Sequence, residues 1–521
     1  MTTTTTTMRI LLAALLGAAT FLSGCTQAPV RKTLLVPVDA EKATANYLTS
    51  IQNDPPLLQA FMRGLPKGAD LHNHLSGAVY AEHYLQWAAD DGKCIDRTTL
   101  DAVLPPCDAA NGRPPAADAM HDTLLHRQII DAWSMRDFVA SNGNSGHDHF
   151  FDTFVKFHHA TQGHRGDMLA LAMHDAAQQR ISYLELMDTL AQGSLRKLAN
   201  DTGWNPDFKQ MRDHLEPGMP QVLRAASAEM DRAQQRMRAD LHCATAQADA
   251  GCEVQVRYLY QVLRGMPPQE VFSQMLAGFE LAGHEPRVVG LNMVMAEDGH
   301  TAMQDFNLHM AMLDYLHGIY PQVQISLHAG ELSAAMVPPD GLRFHIRASI
   351  EHGHAQRIGH GVDIMHEDRP FELLREMAQK NILVEICLTS NKTILGITGA
   401  DHPLPVYLQA HVPVALATDD AGVSRSTLSR EFVEAELQFH LPYRTLKTMV
   451  RNSLAHAFVQ GADLWIAPKE FRPVAACAKD RVGAKSPTQN CADFLVHSEK
   501  AHLEWLLEAG LTEFEAQIAK R

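Results

Sequence analysis

Residues 357–389 read Arg357-Ile-Gly-His-Gly361, a short strand-like run, then Phe371-Glu-Leu-Leu-Arg-Glu-Met-Ala-Gln379, amphipathic at helical spacing. They end in Ile382-Leu-Val-Glu-Ile-Cys-Leu-Thr389, apolar and rich in branched side chains. Strand, helix and strand within so short a stretch make one βαβ unit, which requires a parallel sheet. Working outward, the same alternation recurs from residue 66. Candidate strands fall at 68–74, 181–187, 254–263, 287–294, 323–330, 357–361, 382–389 and 412–419, with a further helical pattern at 428–439. Eight such strands predict an α/β fold, a closed (β/α)8 TIM barrel, which runs to about 250 residues and tolerates insertions beyond 400. The surplus length is assigned to an N-terminal extension (26–65), insertions at about 92–150 and 195–250, and a C-terminal helical tail, with the barrel and its insertions spanning 66–521.

Composition sets the limits of function. The chain has 521 residues, 46% of them apolar and 20% charged, as in ordinary folded proteins. Its formal charge of −15 disfavours nucleic acid or an anionic membrane surface as partner. Histidine is abundant, at 29 residues, which raises the prospect of metal ligation without locating it.

The first residues read as an address. Met8-Arg9 precedes a mostly apolar stretch, 10–22, too short to span a bilayer and of signal-peptide length. It ends Leu22-Ser-Gly-Cys25, which resembles the lipobox of bacterial lipoproteins. Cleavage after residue 24 would leave Cys25 as the lipidated first residue. Thr26, rather than an aspartate, follows, which implies a lipid-anchored protein of the outer membrane, facing the periplasm or the outside; an ordinary signal peptide is the alternative. Six of the other seven cysteines form sequence-local pairs, Cys94 with Cys107, Cys243 with Cys252 and Cys477 with Cys491. An exported compartment would let such disulfides persist. Cys387 stands alone in an apolar run, and no C-x-x-C spacing offers a thiolate zinc site.

Candidate chemistry gathers at the strand ends. His72 and His74 lie two apart on the first strand, so both imidazoles face one side and can reach one ion. The fifth strand ends His328-Ala-Gly-Glu331, the sixth carries His360 between two glycines, and the eighth ends Thr418-Asp419-Asp420. In a parallel barrel these ends converge on one face, the face that holds the chemistry. Phe150, Phe151, Phe154 and Phe157 recur at helical spacing, as a core stripe or as a lid over a ligand. Signatures of kinases, zincins and serine hydrolases are absent, and His497-Ser-Glu499 lacks the P-C-x-x-C of cysteine-ligated deaminases.

Asp70-Leu-His-Asn-His-Leu-Ser-Gly-Ala78, Leu327-His-Ala-Gly-Glu331, Arg357-Ile-Gly-His-Gly361 and Ala417-Thr-Asp-Asp420 resemble, in order, the motifs of the adenosine deaminase family within the metal-dependent amidohydrolases. The resemblance covers about residues 66–460, and the extension, paired cysteines and export signal are similar to its secreted growth-factor branch. It implies one Zn²⁺ per chain on His72, His74, His328 and Asp419. Glu331 would protonate purine N1, and His360 would orient and stabilise the attacking hydroxide. Asp420 would accept from the attacking water or hold the purine. The substrate implied is adenosine or 2′-deoxyadenosine, deaminated to the inosine product in purine salvage.

Four departures put the substrate in question. Ser76 stands where many nucleoside-specific members carry an acid that contacts the ribose, Met295 stands in the place of a glycine that approaches purine N3, Asn292 replaces an aspartate, and Ala421 replaces the proline that commonly follows the Asp-Asp pair. Ser76, Met295, Phe154, Phe157 and Asp420 are therefore the expected substrate contacts. Another 6-aminopurine compound (adenine, AMP or an N6-substituted nucleoside) and a non-catalytic zinc- or nucleoside-binding lipoprotein are the competing readings. The sequence leaves monomer or homodimer open.

Overall fold

The structure is a computed structural model that describes residues 39–520. The 10–22 stretch and Cys25 lie outside the described residues. Eight strands form one parallel sheet: β1 (Gly68–His74), β2 (Ile181–Asp188), β3 (Gln255–Leu263), β4 (Val288–Val294), β5 (Gln324–Ala329), β6 (Arg357–His360), β7 (Leu383–Ile386) and β8 (Val414–Leu416). Each pairs in parallel with its sequence neighbour. The ring closes between first and last strand through a parallel bridge of Asn73 with Asp419, where the Asp419 N–H donates to His72 O at 2.8 Å. This is the (β/α)8 barrel.

Local chemistry explains the alternation. The helix between β6 and β7, Pro370–Lys380, begins on a proline and stops at Asn381, held at φ 57°, and the chain turns at once into β7. The two last strands are shorter than their apolar runs suggest. Helix Leu388–Leu395 starts directly beyond β7, and its first turn brings Ser390 and Asn391, both buried, to the top of the barrel. The strands read as near-continuous buried runs because helices cover the outside and side chains fill the inside.

Between β1 and β2 lie a two-stranded hairpin (Cys94–Ile95 with Ala102–Val103), short helical turns and the long helix Gly146–Thr161. Ser145 caps that helix, its hydroxyl accepting from the Asp148 N–H. Helices Gln192–Thr202, Phe208–Leu215 and Met219–Asp240 stand between β2 and β3. The three cysteine pairs are disulfides, and Cys387 is free and buried. After the barrel, helices Gln489–Val496 and Glu499–Ile518 follow, and the second returns to pack on helix Ala40–Ile51. No helix among the described residues is long and apolar enough to cross a membrane.

Candidate metal centre

His72, His74, His328 and Asp419 converge at the C-terminal ends of β1, β5 and β8. What lies behind each imidazole defines what lies in front. His72 Nδ1 is 2.7 Å from Glu385 Oε2, His74 Nδ1 is 3.0 Å from Gln261 Oε1, and His328 Nδ1 is 2.9 Å from Asn292 Oδ1. A carboxylate oxygen and two amide oxygens accept, so each ring carries its proton on Nδ1 and turns a bare Nε2 inward. The Nε2 atoms of His72 and His74 lie 3.0 and 3.3 Å from that of His328. Asp419 Oδ1 stands 3.5 and 3.2 Å from His72 and His74 Nε2, while its Oδ2 accepts from Ser390 at 2.6 Å.

Lone pairs aimed at one another at such range repel unless a cation lies between them. The separations match those between neighbouring ligands of a tetrahedral ion, about 3.3 Å for nitrogen and oxygen donors on zinc. The donor set therefore fits a divalent metal with imidazole preference. The site is also sterically prepared: a Cβ at Gly359 would stand 2.5 Å from His72 Cε1, so only glycine leaves room for that ring.

Beneath the ligands runs a fully buried chain of charge. Arg357 lies 2.6 Å from both Glu185 and Glu385, with its guanidinium 3.8 Å above the Phe458 ring. Arg357 and His72 hold Glu385 ionised against its burial, which keeps it an acceptor for His72.

Glu331 is buried, and its Oε1, with no hydrogen-bond partner, lies 3.6 Å from His360 Nε2. Its loop is held by Glu297, which accepts from the N–H groups of Gly330 and Glu331 and lies 2.6 Å from His345 Nδ1. Burial, with Asp419 and Glu297 adding to it, pushes the Glu331 carboxyl well above its ordinary range, which favours its protonated form. Asp420 is raised by burial too, with Asp419 reinforcing and His74 opposing, and its Oδ1 is unpartnered. A Cβ at Gly77 would overlap that oxygen, so the glycine of the first motif makes space for Asp420.

A cavity of about 1360 Å³ opens beside this cluster. Ser76, Met295, Phe154 and Phe157 all line it, and it reaches Gln261, the partner of His74. Phe157 is buried and stacked on Tyr84 at 4.7 Å, whereas Phe154 is partly buried. The stripe is thus core on one side and cavity wall on the other. Met295, His360 and Asp419 have φ of 81°, 68° and 57°, a conformation that non-glycine residues adopt only under tertiary constraint. Nearby histidines do not assemble a second centre. His147 meets Asp298, His149 meets backbone carbonyls, and His164 meets Asp91 and Asp167.

Several site residues were invisible in the sequence. Asn292, read there as a change at the substrate end, instead accepts from the His328 backbone and ring. Gln261, Glu385, Glu297 and Asn391 carried no motif. Glu385 alone left a signal, a carboxylate inside an otherwise apolar strand, since a buried charge demands a partner.

The family described as Adenosine deaminase matches residues 223–463. An adenosine deaminase of Enterococcus faecalis is 33% identical over 138 residues, 26% of this chain and 37% of that protein. The chain thus spans little more than a third of that relative's length. An adenine deaminase of Chelativorans is 27% identical over 295 residues, 56% of this chain and 80% of that one. Among solved structures, ADAL of Arabidopsis in complex with GMP superposes with a TM-score of 0.51 at 20% identity, over 77% of this chain and 94% of the other, a likeness of fold. The matched stretch holds His328, Glu331, His360, Asp419 and Asp420, and barrel closure brings His72 and His74 to it from outside. The sequence likeness to the adenosine deaminase family is thus carried by residues 223–463 of this chain.

Proposed function

We propose that this protein is a hydrolytic deaminase of a 6-aminopurine, with adenosine or 2′-deoxyadenosine as substrate. The observation that carries the reading is the juxtaposition of a four-donor cation site with a buried carboxyl, Glu331, whose unpartnered oxygen faces the same space. His72, His74, His328 and Asp419 would hold the ion, Zn²⁺ by its donors. A bound ion of this kind supplies an acidified water near neutrality.

The chain's own groups supply the rest. Glu331 donates its proton to ring nitrogen N1 as electron density moves onto it from C6. His360 faces the attacking oxygen, and Asp420 takes the proton that this oxygen sheds or holds the purine. Water adds at C6, the C6–N bond breaks, and ammonia leaves with the protons, giving the 6-oxo product. The Phe154 and Phe157 wall would cover the base. Acting on adenine, AMP or an N6-substituted nucleoside uses the same groups. Met295 at the cavity wall favours keeping that reading alongside.

The stretch 10–25 supports an exported protein anchored through lipid on Cys25, and three disulfides are consistent with that compartment.

Residues 26–521, exported and loaded with zinc, are incubated with adenosine, 2′-deoxyadenosine, adenine, AMP and an N6-methylated nucleoside while ammonia release is followed. Turnover of adenosine is expected. Glu331→Gln should lower kcat by about 10²- to 10⁴-fold with metal content unchanged. Full activity of Glu331→Gln would overturn the proton-donor role. Silence on the whole panel by folded, zinc-loaded protein would favour a binding protein.

A further inference from the structure

The proton on His360 is placed from a distance. The chain of contacts starts at a group whose direction is not in question: the backbone N–H of Leu404 donates to His402 Nδ1 at 3.1 Å. A ring nitrogen that accepts carries no proton, so the His402 hydrogen is on Nε2. Burial holds this imidazole down at about 4, hence neutral. Its Nε2–H meets Asn391 Oδ1 at 3.1 Å, which fixes the amide with oxygen toward His402 and nitrogen away. Asn391 Nδ2 then lies 3.0 Å from His360 Nδ1 and donates to it. His360 Nδ1 is therefore also bare. His360, Asn391 and His402 are all buried, at 0%, 0% and 2% exposure, so no bulk water competes for these positions.

We propose that His402 and Asn391 are positioning residues that lock His360 as the Nε2–H tautomer, turned toward Glu331 and the substrate as a hydrogen-bond donor. Every link of the relay has a donor facing an acceptor only in this arrangement. Adding a proton to His360 Nδ1 would set it against the Asn391 amide hydrogens. His360 thus stabilises charge on an oxygen in front of it and does not serve as the base that removes a proton there. That work falls to a carboxylate, the role given above to Asp420, whose Oδ1 is buried and without a hydrogen-bond partner. The tautomer assignment stands on hydrogen-bond direction alone; its catalytic consequence rests on the deaminase reading.

Neutron diffraction from deuterium-exchanged crystals of the intact protein should show deuterium on His360 Nε2, His402 Nε2 and Asn391 Nδ2, and none on His360 Nδ1. Deuterium on His360 Nδ1 would overturn the proposal whatever reaction the protein performs. The kinetic arm uses three variants. Asn391→Asp is isosteric but presents an acceptor to His360 Nδ1, drawing the proton there; kcat should fall by about 10- to 100-fold, with KM little changed and an altered pH profile. His402→Gln keeps a donor toward Asn391 and should retain wild-type kcat, whereas His402→Leu should lose it to a similar degree as Asn391→Asp. Equal kcat and identical pH profiles for His402→Gln and His402→Leu, both folded, would reduce the relay to packing and sink the proposal. Inactivity of the wild type with the expected deuterium pattern would instead count against the deaminase reading.

Discussion

Met295 shows how one residue can carry a local cost. Its φ of 81° is glycine territory. Holding an ordinary side chain there costs about 1–2 kcal/mol. The residue is 39% exposed, so burial returns little of that, and its Cε stands where a Cβ on Gly265 would come within 2.8 Å. Met295→Gly relieves the backbone but frees the unfolded chain, which offsets about 0.5–1 kcal/mol. The net expectation in urea unfolding is a stability unchanged or raised by up to about 1 kcal/mol. If Met295 shapes the pocket, the same variant should change the kcat/KM ratio between adenosine and bulkier 6-aminopurines by about tenfold or more. An unchanged ratio would remove Met295 from substrate recognition. The residue was legible as a departure from a motif. Its strained backbone was not, because φ depends on how β4 hands the chain to the following loop.

At the scale of elements, the helix Gly146–Thr161 has two faces that mutation can separate. Phe157 borders the cavity but is 2% exposed and stacked on Tyr84, so Phe157→Ala should cost about 3–5 kcal/mol in unfolding free energy. Phe154 is one helical turn away and half open to the cavity. Phe154→Ala should raise KM several-fold through lost contact with the base while leaving kcat near the wild type. A larger loss of stability at Phe154→Ala than at Phe157→Ala would contradict the assignment of the two faces. Helical periodicity revealed the stripe, but not which members face the cavity, since that depends on where helix Ala81–Asp90 and the Ala102–Val103 hairpin lie against it. The strand ends were easier to read. Period two on β1 and the convergence of parallel strands bring His72, His74, His328 and Asp419 together without further information. Glu385, Gln261 and Asn292 act on those ligands from β7, β3 and β4, Asn391 acts on His360 from the helix after β7, and pairings so distant in sequence have no local pattern to betray them.

For the whole molecule, the ring of strands and the donor set are completed by the same residue. Asp419 supplies the backbone bridge that joins the last strand to the first, and it supplies the carboxylate that faces His72 and His74. An ion on these ligands adds its binding free energy to the seam between the two ends of the fold. Removing metal with a chelator should therefore speed amide exchange at Asp419 and His74 more than at the β4 and β5 amides across the barrel. Uniform protection in both states would separate closure from metal binding. The consequence reaches beyond stability. A chain that has not yet threaded its eighth strand into place lacks the fourth donor, so a metal bound here would act as an inspector of assembly, held only by a molecule that has joined its first strand to its last.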